Sequence, residues 1–143
     1  MMLYMASRAQ LIEQVIRPAL NEGELVLADR FVASTVAYQG YAGGLPIRDI
    51  MLVAQAAVGP IDGGCWPDLT IVFDVDDQTA SARLSDERDR MERKECDYRA
   101  RVREGYLDQA RDNPDRFAVI DARPDPDTVT SGMFDAIRRA VPE

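Results

Sequence analysis

Three short apolar runs, each closing on an aspartate, do most to restrict what this chain can become. They are Glu24-Leu25-Val26-Leu27-Ala28-Asp29, Leu69-Thr70-Ile71-Val72-Phe73-Asp74 and Phe117-Ala118-Val119-Ile120-Asp121. Runs this short, rich in β-branched residues, have the character of strands buried on both faces. Helical patterns fill the intervals. From Ala6 to Glu22 the residues Leu11, Ile12, Val15, Ile16, Ala19 and Leu20 recur at helical spacing, Gly23 stands ready to end the helix, and Pro18 disturbs its last turn. Ile47, Ile50, Met51, Ala54, Ala57 and Val58 mark a second helix, stopped by Gly59-Pro60. Gln78 to Leu84 marks another, and Arg93 to Arg111 a long arginine-rich one. The last carries Val129, Met133, Ile137 and Val141 after Asp127 and Thr128, either of which can cap it. Buried strands alternating with helices define an α/β chain with a parallel sheet. Ligands in such sheets bind outside the carboxyl ends of the strands, where Asp29, Asp74 and Asp121 fall. Any one of these aspartates alone equally suits a turn or a helix cap.

Composition narrows the chemistry. Among 143 residues there is no histidine, which excludes Ser-His-Asp and Cys-His nucleophiles, HExxH metal sites and a histidine general base. A net charge of −8 argues against broad binding to duplex nucleic acid. The charge is uneven: Arg83 to Arg103 holds eight cations and six acids. Lys94 is the only lysine against sixteen arginines. Cys65 and Cys96 have no companions, so neither a zinc site nor a disulfide framework is indicated, and both read as reduced thiols of a cytoplasmic protein. No apolar run approaches the roughly 18–20 residues of a membrane span, and Arg8 and Glu13 break any signal-peptide pattern.

The most informative stretch is DRFVASTVAYQGYAGG, Asp29 to Gly44. An aspartate at a strand end can hold Mg²⁺, and an adjacent arginine can fork onto a phosphate. With YMASRAQLIEQVIRPAL (4–20), PDLTIVFDV (67–75), DRMERKECDYRARVREGYL (89–107) and VIDA (119–122), it resembles the thymidylate kinases, P-loop enzymes that phosphorylate dTMP. The pieces run in the family's order over nearly the whole chain. The resemblance implies a P-loop kinase-like parallel sheet with flanking helices. It implies one partial domain over 1–143, with a lid at about 83–95. It further implies ATP as phosphoryl donor, Mg²⁺, a cytoplasmic location and a homodimer paired through helices near Ala6–Leu20 and Ile47–Val58.

Roles follow residue by residue from that resemblance. Tyr4 sits where an aromatic ring stacks on thymine, phenylalanine being usual, and Arg8 where an arginine hydrogen-bonds the base. Asp29 matches the aspartate near Mg²⁺ and Arg30 the arginine on the dTMP phosphate. Ser34 and Thr35 lie on the nucleotide-facing turn, Tyr38 packs against the deoxyribose, and Gln39 approaches the base or phosphate. Arg83, Arg88 and Arg90 belong to the lid, the last two closing over the transferring phosphoryl group as catalytic residues beside Arg30. Asp121, Ala122 and Arg123 resemble the loop near adenine. Without the resemblance, Tyr4 reads as a terminal aromatic, Tyr38 as a core aromatic, and Arg99, Arg101 and Arg103 as a solvated helix face.

One departure matters. The chain has no GxxxxGK[ST] motif, whose amides cradle phosphates while its lysine reaches the β/γ oxygens, because Lys94 follows Arg93. The family's first strand, P-loop, second strand and substrate loop have no counterpart here, so the sequence is expected to be the later portion of a longer enzyme. Negligible kinase activity is expected of it alone. A non-catalytic nucleotide-binding remnant, a chain whose partner supplies the P-loop, and a deoxynucleoside kinase are the alternatives.

Overall fold

The first helical pattern folds as a rod in three consecutive pieces: α1 (Met2–Leu11), a π-helical turn (Ile12–Ile16) and α2 (Arg17–Asn21). The computed structural model describes residues 1–83 and 92–140. In a regular helix the Pro18 ring would strike the carbonyl of Gln14. The structure places the widened π turn just before Pro18 and puts Pro18 in the first turn of α2, where a missing N–H costs least. Met5, Ile12 and Ile16 are buried, whereas Leu11, Val15 and Leu20 stay exposed. The sequence stripe is therefore wider than the face that packs.

Two compact units make up the chain, Met1–Trp66 and Pro67–Glu143. In the first, α3 (Val32–Thr35) runs into a second π-helical segment, Val36–Ala42, and α4 (Ile47–Val58) follows. Ile50, Ala54 and Val58, at i, i+4 and i+8, form the buried stripe of α4. They join Met5, Ile12, Ile16, Val32 and Val36 in one core, with Trp66 packed against it. Ile50 is fully buried, and its truncation to alanine costs about 2–5 kcal/mol. α4 ends at Gly59 with φ 98°. The chain then folds back so tightly that a Cβ on Gly64 would lie 2.3 Å from the Pro60 carbonyl oxygen.

The run expected to be a strand ending at Asp29 is not one. Residues 24–28 carry no regular structure, and Leu25 and Leu27 are 70% and 84% exposed. A strand exists through the hydrogen bonds of its ladder, and no neighbour among the described residues supplies them. Among the described residues the sheet has two strands, β1 (Thr70–Asp74) and β2 (Phe117–Asp121), both in the second unit. They pair in parallel from Thr70 with Phe117 to Asp74 with Asp121. A parallel pair needs a long crossover; α5 (Asp77–Arg83) and α6 (Glu92–Asp112) lie in that stretch, and α6 packs on both strands. The closing helix α7 (Pro126–Ala140) packs on β2.

Neither Asp127 nor Thr128 caps α7. Asp125 does: its Oδ1 accepts the Asp127 and Thr128 amides at 3.0 Å each, and its Oδ2 accepts the Thr128 hydroxyl at 2.7 Å. Pro126 takes the first helical position, where proline is favoured. Asp76 serves α5 the same way through the Thr79 amide and hydroxyl, at 2.8 and 3.0 Å. These bonds hold both carboxyls below the usual carboxylate range.

Candidate functional site

The turn at Asp29-Arg30-Phe31 has the most unusual backbone among the described residues. Arg30 has φ 67°, and among the described residues it alone is a non-glycine with positive φ. An L-residue in this left-handed region is disfavoured by roughly 1–2 kcal/mol through Cβ crowding. Such conformations persist where surrounding contacts enforce them, and they cluster at functional sites. Arg30 is exposed, with its guanidinium carbon 5.0 Å from the centre of the Tyr38 ring. No hydrogen bond or ion pair engages it among the described residues.

Arg8 is used differently. Its Nη1 donates to the Thr35 hydroxyl at 2.6 Å and its Nη2 to the Phe31 carbonyl at 2.7 Å. Its guanidinium carbon also lies 5.6 Å from the centre of the Phe31 ring. Thr35 is 1% exposed, and a hydroxyl so buried needs a partner. Arg8 thus braces the residues on either side of α3's first turn. This contact and the part played by Phe31 were not legible in the sequence, which offers no periodic signal linking positions 8 and 31.

The other expected residues of this unit gather nearby in the chain's path. Ser34 is buried beside Thr35, and Tyr38 and Gln39 are half-buried within the π-helical segment. π-helical turns are rare and concentrate at functional sites. Tyr4, on α1, is 60% exposed.

In the second unit the strand-end aspartates meet arginines. Asp74 takes Arg103 in a fork, Oδ1 from Nε at 2.6 Å and Oδ2 from Nη2 at 2.8 Å. This pairing raises the Arg103 pKa; Arg103 stays on the exposed face of α6 as expected, with its charge directed to a strand end. Asp121 accepts the Arg123 amide at 3.0 Å and its Nε and Nη2 at 2.9 and 2.7 Å. The Arg123 bonds bring the Asp121 pKa down to about 2. Arg83 donates to the Ala122 and Arg123 carbonyls at 2.9 Å each. The structure therefore brings Arg83, Asp121, Ala122 and Arg123 together. Arg83, Ala122 and Arg123 border an open cavity of about 750 Å³ whose apolar wall includes Phe73, Val129 and Met133. Arg88 and Arg90 lie outside the described residues.

Of the three run-ending aspartates, only Asp29 has no arginine across it among the described residues. The described residues hold no cluster of three or more acidic, cysteine or histidine ligands. No described helix is long and apolar enough to cross a membrane.

Comparison with known proteins gives a single answer. A family model described as thymidylate kinase matches residues 1–132. The chain is 44% identical over 145 residues to the thymidylate kinase of Nitratidesulfovibrio vulgaris strain Miyazaki F, covering 95% of this chain and 66% of that one. It is 41% identical over 140 residues to the thymidylate kinase of Thermoanaerobacter sp. strain X514, covering 97% and 67%. The crystal structure of thymidylate kinase from Ehrlichia chaffeensis superposes with a TM-score of 0.72 at 26% identity, covering 94% of this chain and 60% of that one. The chain thus spans about two thirds of the length of these relatives. The mixed α/β architecture, with its parallel sheet and flanking helices, is that of the P-loop kinase fold. The chain belongs to the thymidylate kinase family.

Proposed function

We propose that this chain carries the acceptor-binding and lid portions of an ATP-dependent phosphotransferase that converts dTMP to dTDP. The observation that carries the reading is Arg30: an exposed guanidinium, held at a left-handed turn beside Asp29, with no hydrogen bond spent on protein among the described residues. Arginine's planar fork fits phosphate oxygens two at a time. Arg30 takes the dTMP phosphate, Tyr4, Ser34, Thr35, Tyr38 and Gln39 surround the nucleoside, and Arg8 sets the geometry of α3 while facing the base. Arg83, Asp121, Ala122 and Arg123 form the adenine side, and Arg88 and Arg90 close over the transferring group.

Mg²⁺ is held by few carboxylates together with substrate phosphates. Asp29 fits that demand, being exposed and without an ion pair among the described residues, where Asp74 and Asp121 are spent on arginines. When bound, the ion neutralises charge on the phosphates. Phosphoryl transfer needs positioning and charge stabilisation in place of a covalent intermediate, which agrees with a chain free of histidine. The GxxxxGK[ST] motif is not within these 143 residues, and the proposed reaction requires one. The protein is proposed to work in the cytoplasm as a homodimer, to which the exposed Leu11, Val15 and Leu52 of α1, the first π turn and α4 contribute.

Calorimetry tests the reading. The chain is expected to bind dTMP more tightly than thymidine, and a polypeptide supplying the family's P-loop region is expected to restore dTMP-dependent ADP release on mixing. Equal affinity for dTMP and thymidine would sink the assignment of Arg30. Robust ADP release by this chain alone would refute the need for a P-loop from elsewhere.

A further inference from the structure

We propose that Tyr38 is a positioning residue for Arg30: its ring is the platform that holds the guanidinium at the turn with its N–H edge open to a phosphate. The proposal rests on the reading of Arg30 given above and adds what makes that arginine competent. Arginine has a long flexible stem, so an exposed guanidinium samples many positions unless something restrains it. Arg8 is restrained by hydrogen bonds that engage both Nη1 and Nη2. Arg30 is restrained by a ring face 5.0 Å from its Cζ.

The difference has a chemical consequence. A cation–π contact uses the electron-rich face of the ring and spends no N–H donor. Among the described residues the Arg30 fork is therefore both located and unspent, whereas a protein carboxylate in the same place would locate it and occupy it, as Asp74 does to Arg103. Both ends of the contact are fixed. The left-handed backbone at residue 30 sets the direction in which the arginine leaves the chain. The π-helical segment sets the ring, with Ala37 and Gly40, on either side of Tyr38 and Gln39, buried.

The test is the phosphate increment, the ratio of thymidine to dTMP dissociation constants measured by calorimetry on the full chain. Contacts of Tyr38 with the nucleoside affect both ligands and cancel in that ratio. Tyr38→Phe keeps the ring and is expected to keep the increment. Tyr38→Leu is expected to lower it about fivefold, and to cause no further loss in a chain already carrying Arg30→Ala. An unchanged increment in Tyr38→Leu, with Arg30→Ala lowering it, overturns the proposal. So does an equal drop from Tyr38→Leu with and without Arg30, which would mean that the ring acts independently. Absence of any increment in the unaltered chain removes the reading of Arg30 itself and this proposal with it. Should the leucine variant fail to fold by circular dichroism, Tyr38→Met, unbranched and ringless, carries the same comparison.

Discussion

Replacing Arg30 with glycine and with alanine separates the strain of the turn from the work of the side chain. Both substitutions remove the contact with the Tyr38 ring, 5.0 Å from the guanidinium carbon, worth about 0.5–1 kcal/mol at an exposed site. They differ at the backbone. Alanine keeps a Cβ at φ 67°, retaining a cost of roughly 1–2 kcal/mol. Glycine escapes that cost and gives back about 0.5–1 kcal/mol through the greater freedom of its unfolded chain. Arg30→Gly is therefore expected to unfold within about 1 kcal/mol of the unaltered chain, and Arg30→Ala about 0.5–1 kcal/mol below it. Both are expected to bind dTMP about 10- to 100-fold more weakly, the worth of a lost charge-assisted bond. Urea unfolding followed by tryptophan fluorescence reads the correct unit. Trp66 is the only tryptophan, lies in the first unit and donates its indole N–H to the Gly59 carbonyl at 3.0 Å. An alanine variant more stable than the glycine variant would refute a left-handed residue 30.

Three further outcomes are expected. Gly64→Ala forces a Cβ to within 2.3 Å of the Pro60 carbonyl oxygen and 2.9 Å of that of Val58, so its urea midpoint falls by the equivalent of about 1–3 kcal/mol. Arg8→Ala leaves the buried Thr35 hydroxyl without the Arg8 donor and the Phe31 carbonyl with the Ser34 amide alone, costing about 1–3 kcal/mol, and Arg8→Lys recovers part of it in the same unfolding assay; no loss in Arg8→Ala would mean that the brace does not form. Asp121, whose folded pKa is depressed to about 2, contributes stability that is complete above its unfolded value near 3.9 and disappears as pH falls toward 2. In Arg123→Ala the Asp121 carboxyl carbon is expected to titrate closer to that unfolded value by NMR, and an unmoved titration would deny the pairing.

Much of this molecule was legible because it depends on local pattern. The period of Ile50, Ala54 and Val58 fixes α4 from side-chain chemistry alone, and Gly59-Pro60 ends it where expected. β2 spans the run read from the sequence, Phe117–Asp121. The run at 24–28 was misread because its apolar residues describe a face to bury, and a strand also needs a neighbour, which no local pattern encodes. Likewise the Asp125-Pro126 pair is a proper cap signal, yet Asp127 and Thr128 compete with it in the same few residues. Which arginines are spent was beyond reach altogether. Arg8, Arg30 and Arg103 look alike in a sequence, and only long-range partners distinguish a brace from a fork from a cation set against a ring.

The π-helical segment Val36–Ala42 also says something about how this stretch tolerates change in length. A helix turns about 100° per residue, so a π turn resembles an α-helix that has absorbed one extra residue. Deleting one residue between Val36 and Tyr38 could restore an unbroken hydrogen-bond ladder and leave the helix itself content. It would also swing Tyr38 and Gly40 about a quarter turn out of phase with α3. Here the chain's phase, more than its composition, is what selection can act on: a single-residue indel that is silent for helix formation points the ring away from Arg30.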